Sequence, residues 1–122
     1  MNKIYYNQGF PTNNSKETYC VSIDGNQIHN EEELLNQLKS VYDMPDANNW
    51  DAAKDWLEDL SWLNYKSHIL IITDYSKFME NDFSSKQIFL RILQDIVEWW
   101  DGDVEKYVVE GKKKSFNVYL VD

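Results

Sequence analysis

Several things are scarce in this sequence, and each scarcity removes a class of protein. One cysteine, Cys20, stands in 122 residues, so no internal disulfide can hold the chain together, and the stapled scaffolds of small secreted domains are excluded. Cys20 lies in an apolar-alternating stretch, which predicts a buried, inert thiol in a reducing compartment. Two prolines and four glycines leave no flexible linker and no glycine-rich phosphate loop. No apolar run is long enough for a signal peptide or a membrane span, so a cytoplasmic protein is expected. Cations are few, 12 Lys and Arg against 21 Asp and Glu, for a net charge of −9. Nucleic acid and anionic membranes both want a basic footprint, so the balance argues against either as a partner. It favours a basic partner, or plain solubility.

Apolar material is plentiful by contrast. Hydrophobic residues make up 43% and aromatics 15%, enough to fold one compact domain, whereas two halves would each be too small for a good core. There is no internal repeat. Residues 1–17, with Gly9, Pro11 and the pair Asn13-Asn14, read as a loosely attached polar arm, leaving residues 18–122 as a single domain. "TYCVSID" sets Tyr19, Val21 and Ile23 against Cys20 and Ser22 at strand period, and Asp24-Gly25 ends it as a turn. Asn30 with Glu33 resembles a capping box, and Leu34, Leu35, Leu38, Val41 and Tyr42 follow at helical spacing until Pro45. "HILIITD" is a continuous apolar run, as expected of a strand covered on both faces. "YSKFMEND" reads as a short helix started by Asp74. Ser84 with Gln87 resembles a second capping box before Phe89, Ile92, Leu93, Ile96, Val97 and Trp100, and Gly102 suits that helix's end. Residues 103–114 read as a solvated connection, and "KSFNVYLVD" closes the chain as a strand. Helical crossovers between strands imply an α/β fold: a small parallel sheet, right-handed connections, and helices packed against it.

The most informative stretch is "NNWDAAKDWLEDLSW", residues 48–62. At 100° per residue, Trp50, Ala52, Ala53, Trp56, Leu57, Leu60 and Leu63 fall on one arc. Asp51, Asp55, Glu58, Asp59 and, if the helix persists, Trp62 fall on the other, flanked by Lys54. The acids are poorly balanced by lysines at i, i+4, so they cost a few tenths of a kcal/mol each through repulsion. Asp51 gains from the helix N-terminus, but Asp59 does not. A rigid aromatic beside carboxylates is the composition of a recognition patch for a cationic partner.

Catalytic constellations are weak. His29 and His68 adjoin element boundaries about forty residues apart, and no nucleophile–base pairing with Cys20 or a serine is marked by spacing. Asp51, Asp55 and Glu58 at i, i+4, i+7 could offer oxygen ligands to Mg²⁺ or Ca²⁺, which keeps open a metal-dependent hydrolase. No Cys/His spacing suggests zinc, and no cofactor is expected.

"IDGNQIHNEEELLNQLKS", then Pro45, then "NNWDAAKDWL", and later "FLRILQDI" before the last strand, together resemble the barstar family of intracellular ribonuclease inhibitors. The resemblance runs over residues 18–122 in the same element order, with Asn-x-Asp-Ala-x-x-Asp as its most telling spacing. It implies a barstar-like domain: a three-stranded parallel sheet with about four helices. It also implies a non-enzymatic function, covering a nuclease's active site with the second helix and the loop before it. By position, Asn49, Asp51 and Asp55 match the family motif, with Asp55 as the central carboxylate that fills the enzyme's phosphate site. Asp95 falls where the family places another contacting acid. A family tryptophan aligns with Leu60, and Trp62 lies two residues on. The loop departs from the pattern: it is about two residues shorter and offers Asp46, Ala47 and Asn48 in place of tyrosine and glycine contacts. Lys54 stands where the family has an aromatic contact, and residues 103–114 are an addition. The expected partner is therefore a cognate nuclease toxin with a basic active site, as for an immunity protein, contacted by Asp46, Asn49, Asp51, Lys54, Asp55, Glu58, Trp62 and Asp95. The same fold reused as a non-nuclease interaction module is a further alternative.

Overall fold

The computed structural model describes residues 1–9 and 15–122; Pro11, Asn13 and Asn14 of the expected arm lie outside them. Four strands, β1 (Ile4–Tyr6), β2 (Thr18–Asp24), β3 (Ser67–Thr73) and β4 (Ser115–Leu120), form one parallel sheet in the order β1-β4-β3-β2. Helix α1 (Glu31–Val41) and helix α2 (Trp50–Leu57) connect β2 to β3. Helix α3 (Phe83–Glu98), a π-helical turn at Trp99–Asp103 and the single turn α4 (Val104–Tyr107) connect β3 to β4.

The expectation of three strands falls one short, because the supposed arm supplies the edge strand β1. Ile4 pairs with Val118 and Tyr6 with Leu120, and Tyr5 stacks on Tyr119 with centroids 4.7 Å apart. Asn2 fastens the segment. Its Nδ2 donates to the carbonyls of Val97 and Lys114, and its Oδ1 accepts from the N–H of Phe116. A three-residue strand is too short to show an alternation, so pairing rather than pattern defines it.

Register sorts the sheet into two unlike faces. Val21, Leu70 and Val118 lie side by side, as do Ile23, Ile72 and Leu120, and all six are buried beneath the helices with Phe116 and His68. On the other face Cys20 and Ser22 are exposed, Ile69, Asn117 and Tyr119 are half-buried, and Ile71 between Ser22 and Tyr119 is buried. The helical layer therefore covers one face, and β3 is not sandwiched as its apolar run suggested. Cys20, expected to be buried, stands exposed for the same reason: alternation aims it away from the core.

The caps follow local chemistry. Asn30 Oδ1 accepts the Glu33 N–H at 2.9 Å, the forward half of the expected capping box, while Glu33 reaches back to the N–H of His29. Gly25 is required at the turn after β2, since a Cβ there would run into the carbonyl oxygens of Thr73 and Asp74. Helix α3 starts two residues earlier than expected, with Asp82 rather than Ser84 as its cap; Asp82 Oδ1 accepts the Ser85 N–H. Residues 104–107 form α4 within the expected connection. Lys114, expected in water, is half-buried, with Nζ donating to the Tyr65 carbonyl at 2.7 Å.

Candidate protein-binding surface

Helix α2 is fastened at both ends. Asn49 is the N-cap, with Oδ1 accepting the Ala52 N–H at 2.8 Å, and Asp51 sits in the first turn beside the positive end of the helix dipole. At the far end, two indoles satisfy carbonyls that have no intrahelical donor: Trp100 Nε1–H donates to Leu57 at 2.8 Å and Trp99 Nε1–H to Glu58 at 2.9 Å. Ala53 and Leu57 are buried beneath the helix, and Trp50 stacks on Phe89 of α3 at 6.2 Å. The helix then stops. Leu60 takes a left-handed φ of 54° with its side chain fully buried, and the chain turns toward β3.

This ending changes the expected patch. Trp62 was placed among the carboxylates on the assumption of a longer helix; instead it is half-buried, packs edge-on against Trp56 at 5.4 Å, and donates its Nε1–H to the Tyr42 carbonyl at 2.8 Å. Trp56, assigned from the sequence to the core side, is half-buried at the rim of an open groove of about 340 Å³ lined also by Asp46, Ala52, Asp55 and Asp59. Its Nε1–H points to Asp46 Oδ1 at 3.4 Å. The aromatic beside the acids is thus Trp56. Its projection lies inside the apolar arc, between those of Ala52 and Leu60, so helical spacing gave no signal of this.

The carboxylates differ in what they do. Asp46, Asp51, Asp55 and Asp59 are exposed. Glu58 is half-buried and paired with Lys54, Nζ to Oε1 3.2 Å, across one helical turn. Burial pushes the Glu58 carboxyl up from its ordinary range, Lys54 pulls it part of the way back, and the charges of Asp55 and Asp95 push it up again. Asp95 is exposed on α3, the neighbouring helix. Lys54, the cation set in this face, directs its ammonium to Glu58 and leaves Asp51 and Asp55 without an ion-pair partner among the described residues.

All eight sequence-chosen residues except Trp62 therefore border α2's open side or sit beside it. The i, i+4, i+7 carboxylates do not converge: among the described residues no three His, Cys, Asp or Glu side chains are grouped so as to hold a metal ion. The surface is a rigid, acidic, aromatic-edged helix face beside a short loop. A family model described as barstar, the barnase inhibitor, matches residues 18–121. The chain belongs to the barstar family. No curated protein and no solved structure matches it significantly. Membership places it in a family described by an inhibitor and not by an enzyme. Among the described residues no helix is long and apolar enough to cross a membrane.

Proposed function

We propose that this barstar-family chain is an immunity protein that works in the cytoplasm by seating the acidic face of α2 and the preceding loop over the active site of a basic nuclease, a ribonuclease by family analogy. The observation that carries the reading is the row of exposed carboxylates at Asp51 and Asp55, flanked by Asp46 and Asp59, on a helix fixed at both ends. A nuclease site is cationic because it binds phosphates. Carboxylates held at phosphate-like positions compete with the nucleic acid directly, and occlusion requires no catalysis from the inhibitor. Opposite fields also steer the encounter, which matters for a toxin that must be caught before it acts.

Asp55 is the central test. It is exposed and makes no ion pair, so Asp55→Ala leaves the melting temperature nearly unchanged. In a complex, the same change strands a desolvated cation on the nuclease, at a cost of about 3–5 kcal/mol, or roughly a hundredfold to a few thousandfold in affinity. The experiment immobilises the wild-type chain, captures nuclease from an extract of the source organism, and assays RNase and DNase activity with wild-type and variant inhibitor. Equal inhibition by both would remove Asp55 from the interface. Capture of a non-nuclease protein alone would favour an interaction module.

A further inference from the structure

Asn2 lies outside residues 18–121, the stretch matched by the family model, and its bonds converge on one feature of the fold, the π turn Trp99–Asp103. Its Nδ2 donates to the Val97 carbonyl at 3.3 Å, two residues before the turn. Its backbone N–H donates to Asp101 Oδ1 at 3.1 Å, inside the turn. Nδ2 also donates to the Lys114 carbonyl at 3.0 Å, and the Lys114 N–H in turn donates to the Trp100 carbonyl at 3.2 Å. The acceptor, Oδ1, takes the Phe116 N–H of β4 at 3.0 Å. One residue therefore joins the end of α3, the π turn and the start of β4. A π turn departs from the regular i to i−4 ladder, and bonds from outside the helix fix a backbone that the ladder alone does not.

The other side of the same turn grips α2. Trp99 and Trp100 are its first two residues, and their indole N–H groups hold the Glu58 and Leu57 carbonyls at 2.9 and 2.8 Å. Both rings are also braced from behind: Trp99 stacks on Tyr107 at 6.3 Å, and the Lys114 ammonium lies 5.6 Å from the Trp100 ring centroid. Asp55 lies two residues before the first clamped carbonyl and Asp59 one after the second. Repulsion between Asp51 and Asp55 favours fraying, and a helix of eight residues is too short to hold itself. The bonds run without a gap from Asn2 through the π turn to the last turn of α2, which has two states, clamped and frayed.

We propose that Asn2 is a positioning residue for the nuclease contact: it fixes the π turn, and the two indoles carried by that turn keep the α2 carboxylates in their binding arrangement. This rests on the reading that a nuclease seats on α2. Asn2 is uncharged and bonds to no residue of α2, so its removal leaves the steering field unaltered. What changes is the cost of ordering the helix on binding, which is read in the dissociation rate.

Two measurements on the full chain test this. The first needs no partner: amide exchange is followed at Glu58 and Leu60, whose N–H groups bond the Lys54 and Trp56 carbonyls. Asn2→Ala and Trp99→Phe each speed exchange there about tenfold. Asp82→Ala removes the cap at the opposite end of α3 and leaves it as in wild type. For the second, the nuclease retained by the immobilised chain is purified, and its binding is timed at a temperature where every variant is folded. Asn2→Ala and Trp99→Phe each raise the dissociation rate about three- to tenfold with the association rate unchanged, and the double variant is no worse than the stronger single one. If Asn2→Ala does not fold, Asn2→Asp, which keeps the acceptor for Phe116 and loses both side-chain donors, gives the same result. If Asp55→Ala weakens the complex while the Asn2 variants exchange and bind as wild type does, the positioning role is wrong and the α2 reading stands. Additive losses in the double variant overturn it too, because Asn2 then acts apart from the indoles. An Asp82→Ala effect equal to that of Asn2→Ala reduces the finding to general destabilisation and overturns it as well. If Asp55→Ala is silent, the α2 reading fails and the positioning role falls with it.

Discussion

His68 gives this fold a built-in sensitivity to acid. The imidazole is fully buried on the core face of β3, and neither ring nitrogen has a hydrogen-bond partner. It stacks on Phe116 at 5.7 Å and meets Tyr19 at 5.9 Å and Tyr65 at 6.3 Å. Burial among these rings disfavours the charged form, and the nearby Lys114 ammonium disfavours it further, so the pKa falls from 6.5 to about 4. In the unfolded chain the same histidine takes up a proton near its ordinary value. Between pH 6.5 and 4 the unfolded state therefore binds the extra proton and the folded state refuses it. Stability is at its full value above 6.5 and drains as pH falls through that window, by up to about 1.4 kcal/mol per unit and about 3 kcal/mol in all. That is a large part of a small domain's typical stability of about 5–15 kcal/mol. The assay is urea unfolding of wild type and His68→Phe at half-unit steps from pH 7.5 to 4. Carboxylates titrate alike in both proteins, so the difference between the two curves isolates the histidine. The expected difference is flat above pH 6.5 and shifts progressively in favour of the variant below it. Parallel curves throughout would mean that the imidazole accepts its proton inside the fold, and the account of its burial would be refuted. A variant that is less stable at every pH leaves the slope readable.

Two further changes test how the surface is built. Asn49→Ala removes the α2 cap and costs about 1 kcal/mol of stability, measured by chemical unfolding, whereas Asn49→Ser, which keeps an acceptor, costs less. Deleting residues 1–7 removes the β1 pairing and the Asn2 bonds to Val97, Lys114 and Phe116, and it lowers the melting temperature by several degrees; an unchanged value would return the segment to the status of an arm.

Long elements were legible in the sequence because their periods are long enough to read. The alternation of "TYCVSID" and the helical spacing from Leu34 to Tyr42 and from Phe89 to Trp100 match β2, α1 and α3 with its π-turn. The errors came where a local rule competed with tertiary packing. Ser84 and Gln87 satisfy a capping motif, but Asp82 directly follows the turn over residues 78–81, with its N–H bonded to the Met79 carbonyl, and takes the cap instead. Projecting α2 past Leu57 put Trp62 in water, while a left-handed Leu60, buried in exchange for its strained backbone, sent the chain elsewhere. Cys20 was misread although the alternation had already placed it opposite Val21 and Ile23. What misled was the assumption that a parallel sheet is covered on both faces. Asp51 and Asp55 could be assigned to the open side of α2 from spacing alone, because two turns of helix fix a face. The i, i+4 spacing of Lys54 and Glu58 was legible as well, but the burial of Glu58 and the placing of Asp95 beside it were not, since they depend on how α3 packs against α2.

That pairing bears on how closely this chain follows its family. An unpaired lysine in the middle of an acidic helix face would oppose a cationic partner. Here the ammonium is turned along the helix to Glu58, a half-buried carboxylate that needs it, so its field outside the pair is largely cancelled. Asp51 and Asp55 keep theirs, and they repel one another across one turn. A free helix could relieve such repulsion by fraying. This one is capped by Asn49 at one end and gripped by Trp99 and Trp100 at the other, so its carboxylates stay together at a standing cost. A cationic partner of the proposed kind, inserting between them, would remove that cost on binding, and the indole clamps at the end of α2 would then contribute to affinity without touching the partner.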